Sequence, residues 1–426
     1  MQKDPLKLFH RKKKLSKGLR ARLNANPPPI PPPPVVQPVI QPTPAPALIV
    51  KSRPSRMKSR PKRRRSQNKY VAPTYYDPKE FSARQKLAPS MKIFMYGSHA
   101  SLISNERRLF EKLGHKPYSI LDAYPPDVIF GKFNKIECNW LTQDDVGTIA
   151  EFCPIKADCR TRNKRAKQRF IELIDEKFDV VYVTQLAGWL RLFKNLSKPI
   201  IFRTYGRNNG AVQSAVRTFD DLHVVPVHHE EETDFSRKVT PILASVEDIL
   251  EETRNYARLF RNAKEEYYLT VHRQFYRMLS KIKRCGLPKE WPKWKIVAGV
   301  RNPIPRDKLM KKFAQASVYM HLTADNNTIR YSPLEAIASG TLVVSPWGRS
   351  LWRLQERWGL MRSELIKTFY GSIDDGLELA SYFSKNRNLA RKLAAIQHKW
   401  LLWESRRAKH QWNKIFSRIE ATHEKV

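Results

Sequence analysis

A hydroxyl, a proline and a carboxylate stand in close order at Ser332, Pro333 and Glu335, directly after the polar loop Asp325 to Ser332. This order predicts a helix start, with Ser332 as N-cap, Pro333 at the first helical position and Glu335 closing a capping box at the third. A helix N-terminus also offers free N–H groups and the positive end of its dipole, which together suit phosphate. Glu335 thus has two readings, a structural cap and a ligand-binding carboxylate, and the two are compatible. A second cluster, His228-His229-Glu230-Glu231-Glu232, contains metal-ligand residue types. Adjacent side chains on a strand point to opposite faces, so the run fits a polar loop at a cleft rim better than a metal site. The four cysteines, Cys138, Cys153, Cys159 and Cys285, form no C-x-x-C pair, which favours free thiols in a reducing compartment over zinc.

The elements that must position Glu335 are legible around it. Val318 to Thr323 is a short apolar and β-branched run that predicts a buried strand. Gly340 suits the C′ position of a brief helix, and Thr341 to Ser345 is a second strand closed by Pro346. Strand, loop, helix and strand in about thirty residues make a βαβ unit with parallel strands. Ligands of open parallel sheets sit at the carboxyl ends of the strands, here the loop that includes Arg330 and Tyr331.

Further upstream, Met91 to Gly97 predicts a buried strand, and Ser101 to Leu113 an amphipathic helix closed by Gly114 and His115. Gly97 and Ser98 either line a cleft or make an ordinary βα turn. Asp127 to Phe130, Asp179 to Thr184, Pro199 to Thr204 and Leu222 to Val227 read as further strands. Arg160 to Glu176 reads as a helix with Phe170, Ile171 and Ile174 inward. Val246 to Lys283 is charged and reads as mainly helical. Lys295 to Val300 predicts a strand, Pro305 to Ala316 a helix with Leu309, Met310 and Phe313 inward, and Ile366 to Tyr370 a last strand. The repeated alternation predicts α/β architecture with parallel sheets. Trp400, Trp403 and Trp412 fit core or interdomain packing better than base stacking.

The segment RYSPLEAIASGTLVVSP, Arg330 to Pro346, resembles the donor-binding signature of group-1 glycosyltransferases of the GT-B fold. The resemblance implies two Rossmann-like domains facing a cleft, and transfer of a sugar from a nucleotide sugar to an acceptor hydroxyl. It implies retention of anomeric configuration, no essential metal and no cofactor beyond the nucleotide-sugar co-substrate. Glu335 matches the family glutamate that binds the ribose. The glutamate that holds the transferred sugar lies eight residues earlier in the family, and that position is Asn327 here. An amide can bond sugar hydroxyls but brings no negative charge. The donor set the resemblance implies is therefore Glu335, Asn327, Ser332, Tyr331 and Arg330. Arg261 and Lys264 are candidates for the diphosphate clamp, although a solvated basic face explains either of them as well. The Leu113-Gly114-His115 ending and the strand from Pro199 also resemble the family. Where the family has a histidine-glycine pair after that strand, this chain has Tyr205-Gly206, so Gly206 stays a cleft residue and no histidine role is carried over. The ending HKWLLWESRRAKHQWNKIF resembles the terminal helix that crosses back to the first domain.

The length of 426 residues allows two domains with extensions. The expected division is a disordered basic, proline-rich arm at 1–90, an acceptor domain at 91–240, a donor domain at 241–400 and a returning helix at 401–426. The formal charge of +39 is unevenly spread: residues 1–90 carry 22 Lys or Arg against 3 Asp or Glu. Such an arm suits a tether to nucleic acid or an anionic membrane surface, an import-type signal or a proline-motif docking segment. No run of about 20 apolar residues predicts a membrane span, and the expectation is a cytoplasmic protein, or a nuclear one in a eukaryotic or viral setting. The rival to an enzyme is a noncatalytic nucleic-acid-binding or virion-associated protein on an inactive GT-B scaffold.

Overall fold

The computed structural model of the chain describes residues 76–81, 85–124, 135–136, 138–152, 164–184, 187–204, 218–219, 221–227, 242–259, 265–271, 294–297, 306–321, 331–347, 350–360 and 364–423. The strand segments are short and rich in β-branched and aromatic residues, and they assemble into two separate five-stranded sheets. The first contains β1 (Lys92–Tyr96), β2 (Lys116–Ser119), β3 (Val180–Thr184), β4 (Ile200–Arg203) and β5 (Leu222–Val225) in the order β2-β1-β3-β4-β5. The second contains β6 (Glu265–Val271), β7 (Trp294–Val297), β8 (Ala316–Met320), β9 (Leu342–Pro346) and β10 (Phe369–Tyr370) in the order β10-β9-β8-β6-β7. All pairings among the described residues are parallel. Counted within its own sheet, each therefore runs 2-1-3-4-5, the flavodoxin-like doubly wound order. The protein is an α/β protein of two Rossmann-like sheets, the layout of the GT-B fold.

Helices cover both faces of each sheet, which is why β3 and β8 are buried along their whole length. On the first sheet, α1 (Ala100–Lys112) packs on one face, while α2 (Gln143–Ala150), α3 (Lys164–Lys177) and the 3₁₀ helix Ala187–Phe193 cover the other. Phe94 meets Phe170 and Phe193 on one side, and Tyr182 meets Phe110 and Trp412 on the other. Phe170, Ile171 and Ile174 of α3 are buried as their spacing predicts. The chain crosses to the second sheet at α4 (Glu247–Leu259). There α5 (Arg306–Gln315), α6 (Tyr331–Ala338) and α7 (Ser350–Arg357) pack over Tyr319 and Val343. The opposite face, Val318, Met320, Leu342 and Val344, is closed by α8 (Ile373–Lys385) and the start of α9 (Arg387–His423). At 37 residues, α9 spans both units: Trp400 lies in the second core, and Trp412 and Phe416 lie in the first.

Two expectations need correction, and one strand was not foreseen. Val246 to Lys283 is not helical throughout: among its described residues the helix Glu247–Leu259 is followed by Glu265–Val271, which forms β6, an interior strand between β8 and β7. The aromatic and β-branched run outweighed the charges around it. Lys116–Ser119 forms β2, an edge strand that Pro117 disguised; an edge tolerates a residue without an N–H. Ordered chain begins before Met91: Tyr76 N–H donates to the Arg357 carbonyl, and Ala88 N–H donates to Asn413 Oδ1. Residues 76–81, which include the 3₁₀ helix Pro78–Phe81, and residues 85–90 pack on α9 as a strap. The strand expected at Asp127 to Phe130 lies outside the described residues, as do residues 1–75.

Candidate functional site

In a 2-1-3-4-5 sheet the connections leave the first and third strands in opposite directions, which opens a crevice between their carboxyl ends. For the first sheet this switch point lies between β1 and β3, where Gly97 and Ser98 follow Tyr96 and Gly97 meets Thr184. A Cβ on Gly97 would stand 2.4 Å from Thr184 Cγ2 and 3.2 Å from Ile103 Cδ1. Only glycine allows the two strand ends to come this close. Ser98 is half-buried beside it.

His99 follows and caps α1, its Nδ1 accepting the Leu102 N–H at 3.2 Å. A nitrogen that accepts this bond carries no proton, so the neutral ring has its hydrogen on Nε2. Burial also lowers the His99 pKa, which favours the same neutral form. His99 was not singled out from the sequence, although its place between a glycine turn and an apolar helix is a capping signal.

For the second sheet the switch point lies between β6 and β8. The carboxyl end of β8 is held in place on two sides: His321 N–H donates to the Val344 carbonyl at 2.8 Å, and Tyr370 Oη donates to the His321 carbonyl at 2.7 Å. After the loop that starts there, α6 opens at Tyr331. Ser332 is consequently inside the first turn rather than at the N-cap, Pro333 is the third helical residue and Glu335 the fifth. The expected capping box does not form, because Tyr331 itself takes helical backbone. Pro333 is still tolerated, since the first-turn N–H groups have no intrahelical partner. Glu335 is 6% exposed in the second turn. Gly340, at φ +75°, ends the helix as expected.

The starts of α1 and α6 meet. The His99 ring, at the N-terminus of α1, lies 5.9 Å from the Tyr331 ring, at the N-terminus of α6. Leu102 of α1 packs into the core of the second unit, beside Tyr331 and Leu334. Two helix N-termini thus converge on one space, a geometry that favours an anion such as a diphosphate. On the same carboxyl edge of the second sheet, Trp347 follows β9, 38% exposed, with its ring 5.6 Å from Trp352. An exposed indole there offers a flat apolar surface to a sugar or a base.

Gly97, Ser98, Tyr331, Ser332 and Glu335 are therefore all placed on carboxyl edges or on the helix that follows one. Asn327, Arg330, Gly206, Arg261 and Lys264 lie outside the described residues. So does the run from His228 to Glu232. Arg261 and Lys264 precede Glu265, the residue that opens β6 at the amino edge of the sheet; the carboxyl edge, where a clamp is needed, follows Val271. Among the described residues no group of three or more His, Cys, Asp or Glu is placed to hold a metal ion. No described helix is long and apolar enough to cross a membrane.

No family model matches the chain. No curated protein matches it either. Similar solved structures include Anabaena HepE in complex with UDP-glucose, with 12% identity and a TM-score of 0.44 over 79% of this chain and 100% of that one. A glycosyltransferase from Rickettsia africae ESF-5 has 12% identity and a TM-score of 0.46 over 78% of this chain and 98% of that one. The glycotransferase of kitacinnamycin has 12% identity and a TM-score of 0.36 over 78% and 99%. Similarity at this level assigns no activity, which has to be argued from the site itself.

Proposed function

We propose that the chain is a glycosyltransferase that moves a sugar from a nucleotide-diphosphate sugar to an acceptor hydroxyl. The observation that carries this reading is the approach of two helix starts, His99 of one unit against Tyr331 of the other, with Glu335 buried in the turn behind Tyr331. A donor in this space would bond its ribose to Glu335. Its diphosphate would face the α6 N-terminus and the cations that follow Val271, of which Arg273 is the first. Asn327 would hold the transferred sugar, and Gly97, Ser98 and His99 would border the acceptor. The bond from the anomeric carbon to the diphosphate oxygen breaks with its electron pair remaining on the diphosphate. The acceptor oxygen bonds to that carbon, and its proton leaves to a diphosphate oxygen. The resemblance at Arg330 to Pro346 supports retention of configuration and independence of metal; donors fixed by the fold then offset the leaving-group charge. The high positive charge points to a polyanionic acceptor, modified DNA or an anionic lipid.

A second reading, a noncatalytic polyanion-binding scaffold, is favoured by Asn327 standing where the resembling family has a glutamate. A thermal-shift panel of UDP, GDP, ADP, CMP and their sugars separates the two, run on residues 76–426 and on Glu335→Ala. Ligand at a hundredfold over its dissociation constant adds about 2.7 kcal/mol. The enzyme reading expects one nucleotide to raise Tm in the parent and not in the variant. No response to any of them would leave the scaffold.

A further inference from the structure

We infer that the exposed face of α9 is a docking surface for the phosphate backbone of double-stranded nucleic acid, a role separate from the donor cleft. At 100° per residue, Arg391, Lys399, Leu402, Arg406 and Lys409 of α9 fall within a sector of about 80°. Arg391, Lys399, Leu402 and Arg406 are exposed, and between Arg391 and Lys409 the sector contains no carboxylate. The acid of this stretch, Glu404, is fully buried on the opposite side, against Arg407 and the Trp358 indole. Lys409 is engaged by Glu247 and Lys392 by Glu364. Arg391, Lys399 and Arg406 make no ion pair among the described residues, and Lys399 rests over the Trp403 ring at 5.0 Å. A row of like charges with no counter-charge raises the potential along a whole helix face.

The highly charged N-terminal segment precedes an element that packs on the same helix. Residues 1–75 contain 19 Lys or Arg and 1 Asp or Glu. Tyr76, which follows them, sits against Arg407 at 4.7 Å and Trp358 at 5.3 Å, on the flank of α9 between this sector and Glu404. From there the strap runs along α9 and meets it again at His410 and Asn413.

The form of the stripe selects the partner. Leu402, at 37% exposure, is its single large apolar side chain. A helix that lies in a bilayer needs a whole apolar face, and this one spends that face on the protein core. Single strands are held by aromatic platforms, whereas Trp400 and Trp412 are fully buried and Trp403 is covered. What remains is phosphate binding without base contacts. Successive cations are about 12 Å and 10.5 Å apart along the axis, close to the roughly 12 Å width of a major groove, so a helix laid across it can reach both bordering backbones.

The test uses the full chain, a labelled 20-base-pair duplex of arbitrary sequence, and anisotropy titrations from 50 to 300 mM salt. The triple variant Arg391→Gln/Lys399→Gln/Arg406→Gln is expected to keep the parent Tm and to bind at least tenfold more weakly at 100 mM salt. Its slope of log K against log salt should be shallower by about 2 to 3 units, from three lost phosphate contacts. An unchanged slope would mean that the N-terminal segment alone binds, and would overturn the inference. Equal loss in the control Lys116→Gln/Lys167→Gln/Lys311→Gln would overturn it as well. Two further results would assign the face to another partner: tighter binding of a single strand of equal length, or displacement of the duplex by vesicles of 30% phosphatidylserine.

Discussion

Glu106 and Arg203 are both fully buried, and every polar atom of the pair is employed at the junction of the two units. Arg203 Nε donates to Glu106 Oε1 at 3.1 Å, its Nη2 forms an ion pair with the same oxygen at 3.0 Å, and Tyr182 Oη donates to Glu106 Oε2 at 3.0 Å. The remaining guanidinium donors reach the carbonyls of Pro226 and Ile242, at the exit from β5 and the start of the crossing to α4. A buried pair of this kind adds little net stability, but removal of one partner strands a charge, which costs about 3–5 kcal/mol. Glu106→Leu should fall in that range by urea denaturation, and Glu106→Leu/Arg203→Leu should lose less than the single variant. A second test at this scale is pH. Burial lowers the His115 pKa from 6.5 to about 4, while its Nδ1 accepts the Met91 N–H. Between pH 6.5 and 4 the unfolded chain takes up a proton that the folded chain refuses. Stability is thus fully present above pH 6.5 and declines as pH falls toward 4. His99, His398 and His410 are shifted the same way by burial. His115→Asn, which cannot titrate, should have a lower Tm at pH 7.5 but a shallower decline between pH 7 and 4.5.

At the scale of elements, the unit β1, turn and α1 is the half of the cleft whose geometry is most constrained. The Gly97 approach to Thr184 predicts that Gly97→Ala costs about 1–3 kcal/mol, as overpacking does, and weakens any nucleotide response by displacing the strand end. The double variant Gly97→Ala/Thr184→Ser removes the obstructing Cγ2 and should recover most of the lost Tm. If it recovers nothing, the steric account of this turn is wrong. The other half, β8 to β9, depends on α9 for its register. Gln397 bonds both the N–H and the carbonyl of Val343 at 2.9 Å, standing in for a strand neighbour where β10 is too short to pair. Gln397→Leu leaves two buried backbone groups unmatched, at about 1–3 kcal/mol each, and a denaturation curve measures this directly.

Across the whole molecule, the strap and α9 tie the units together without contributing a strand. Phe81 packs between Trp358 and His410, Tyr76 is bonded by Arg357, and Asn413 bonds the backbone on both sides of Leu87. Removal of residues 1–75 should leave Tm within about 2 °C, since none of these contacts is lost. Removal of residues 1–90 should lower it well beyond that, through loss of the aromatic cluster and the strand-like contacts to Asn413. Equal Tm values for the two would mean that the strap merely rests on the surface.

What the chain determined locally was legible without coordinates. Strand cores such as Ile93 to Tyr96 and Val181 to Val183, the inward face of α3, the stop at Gly340 and the short βαβ unit at Val318 to Pro346 all follow from side-chain pattern and backbone preference over a few residues. The same patterns marked Gly97, Ser98, Tyr331 and Glu335 as residues of strand ends and helix starts. Nothing local distinguished a strand from a helix at Glu265 to Val271, where charge and β propensity pull apart, or revealed β2 behind Pro117. The strap was hidden as well, because Tyr76 and Phe81 are fixed only by partners some 280 to 330 positions away. His99 was missed for the same reason: its neighbour across the cleft is Tyr331, and only the packing of Leu102 into the second core brings them together. Local pattern decides which segments become strands and helices, since that depends on neighbours in the chain. Which two loops face one another depends on strand order and on how the sheets are joined, and that was settled only in three dimensions.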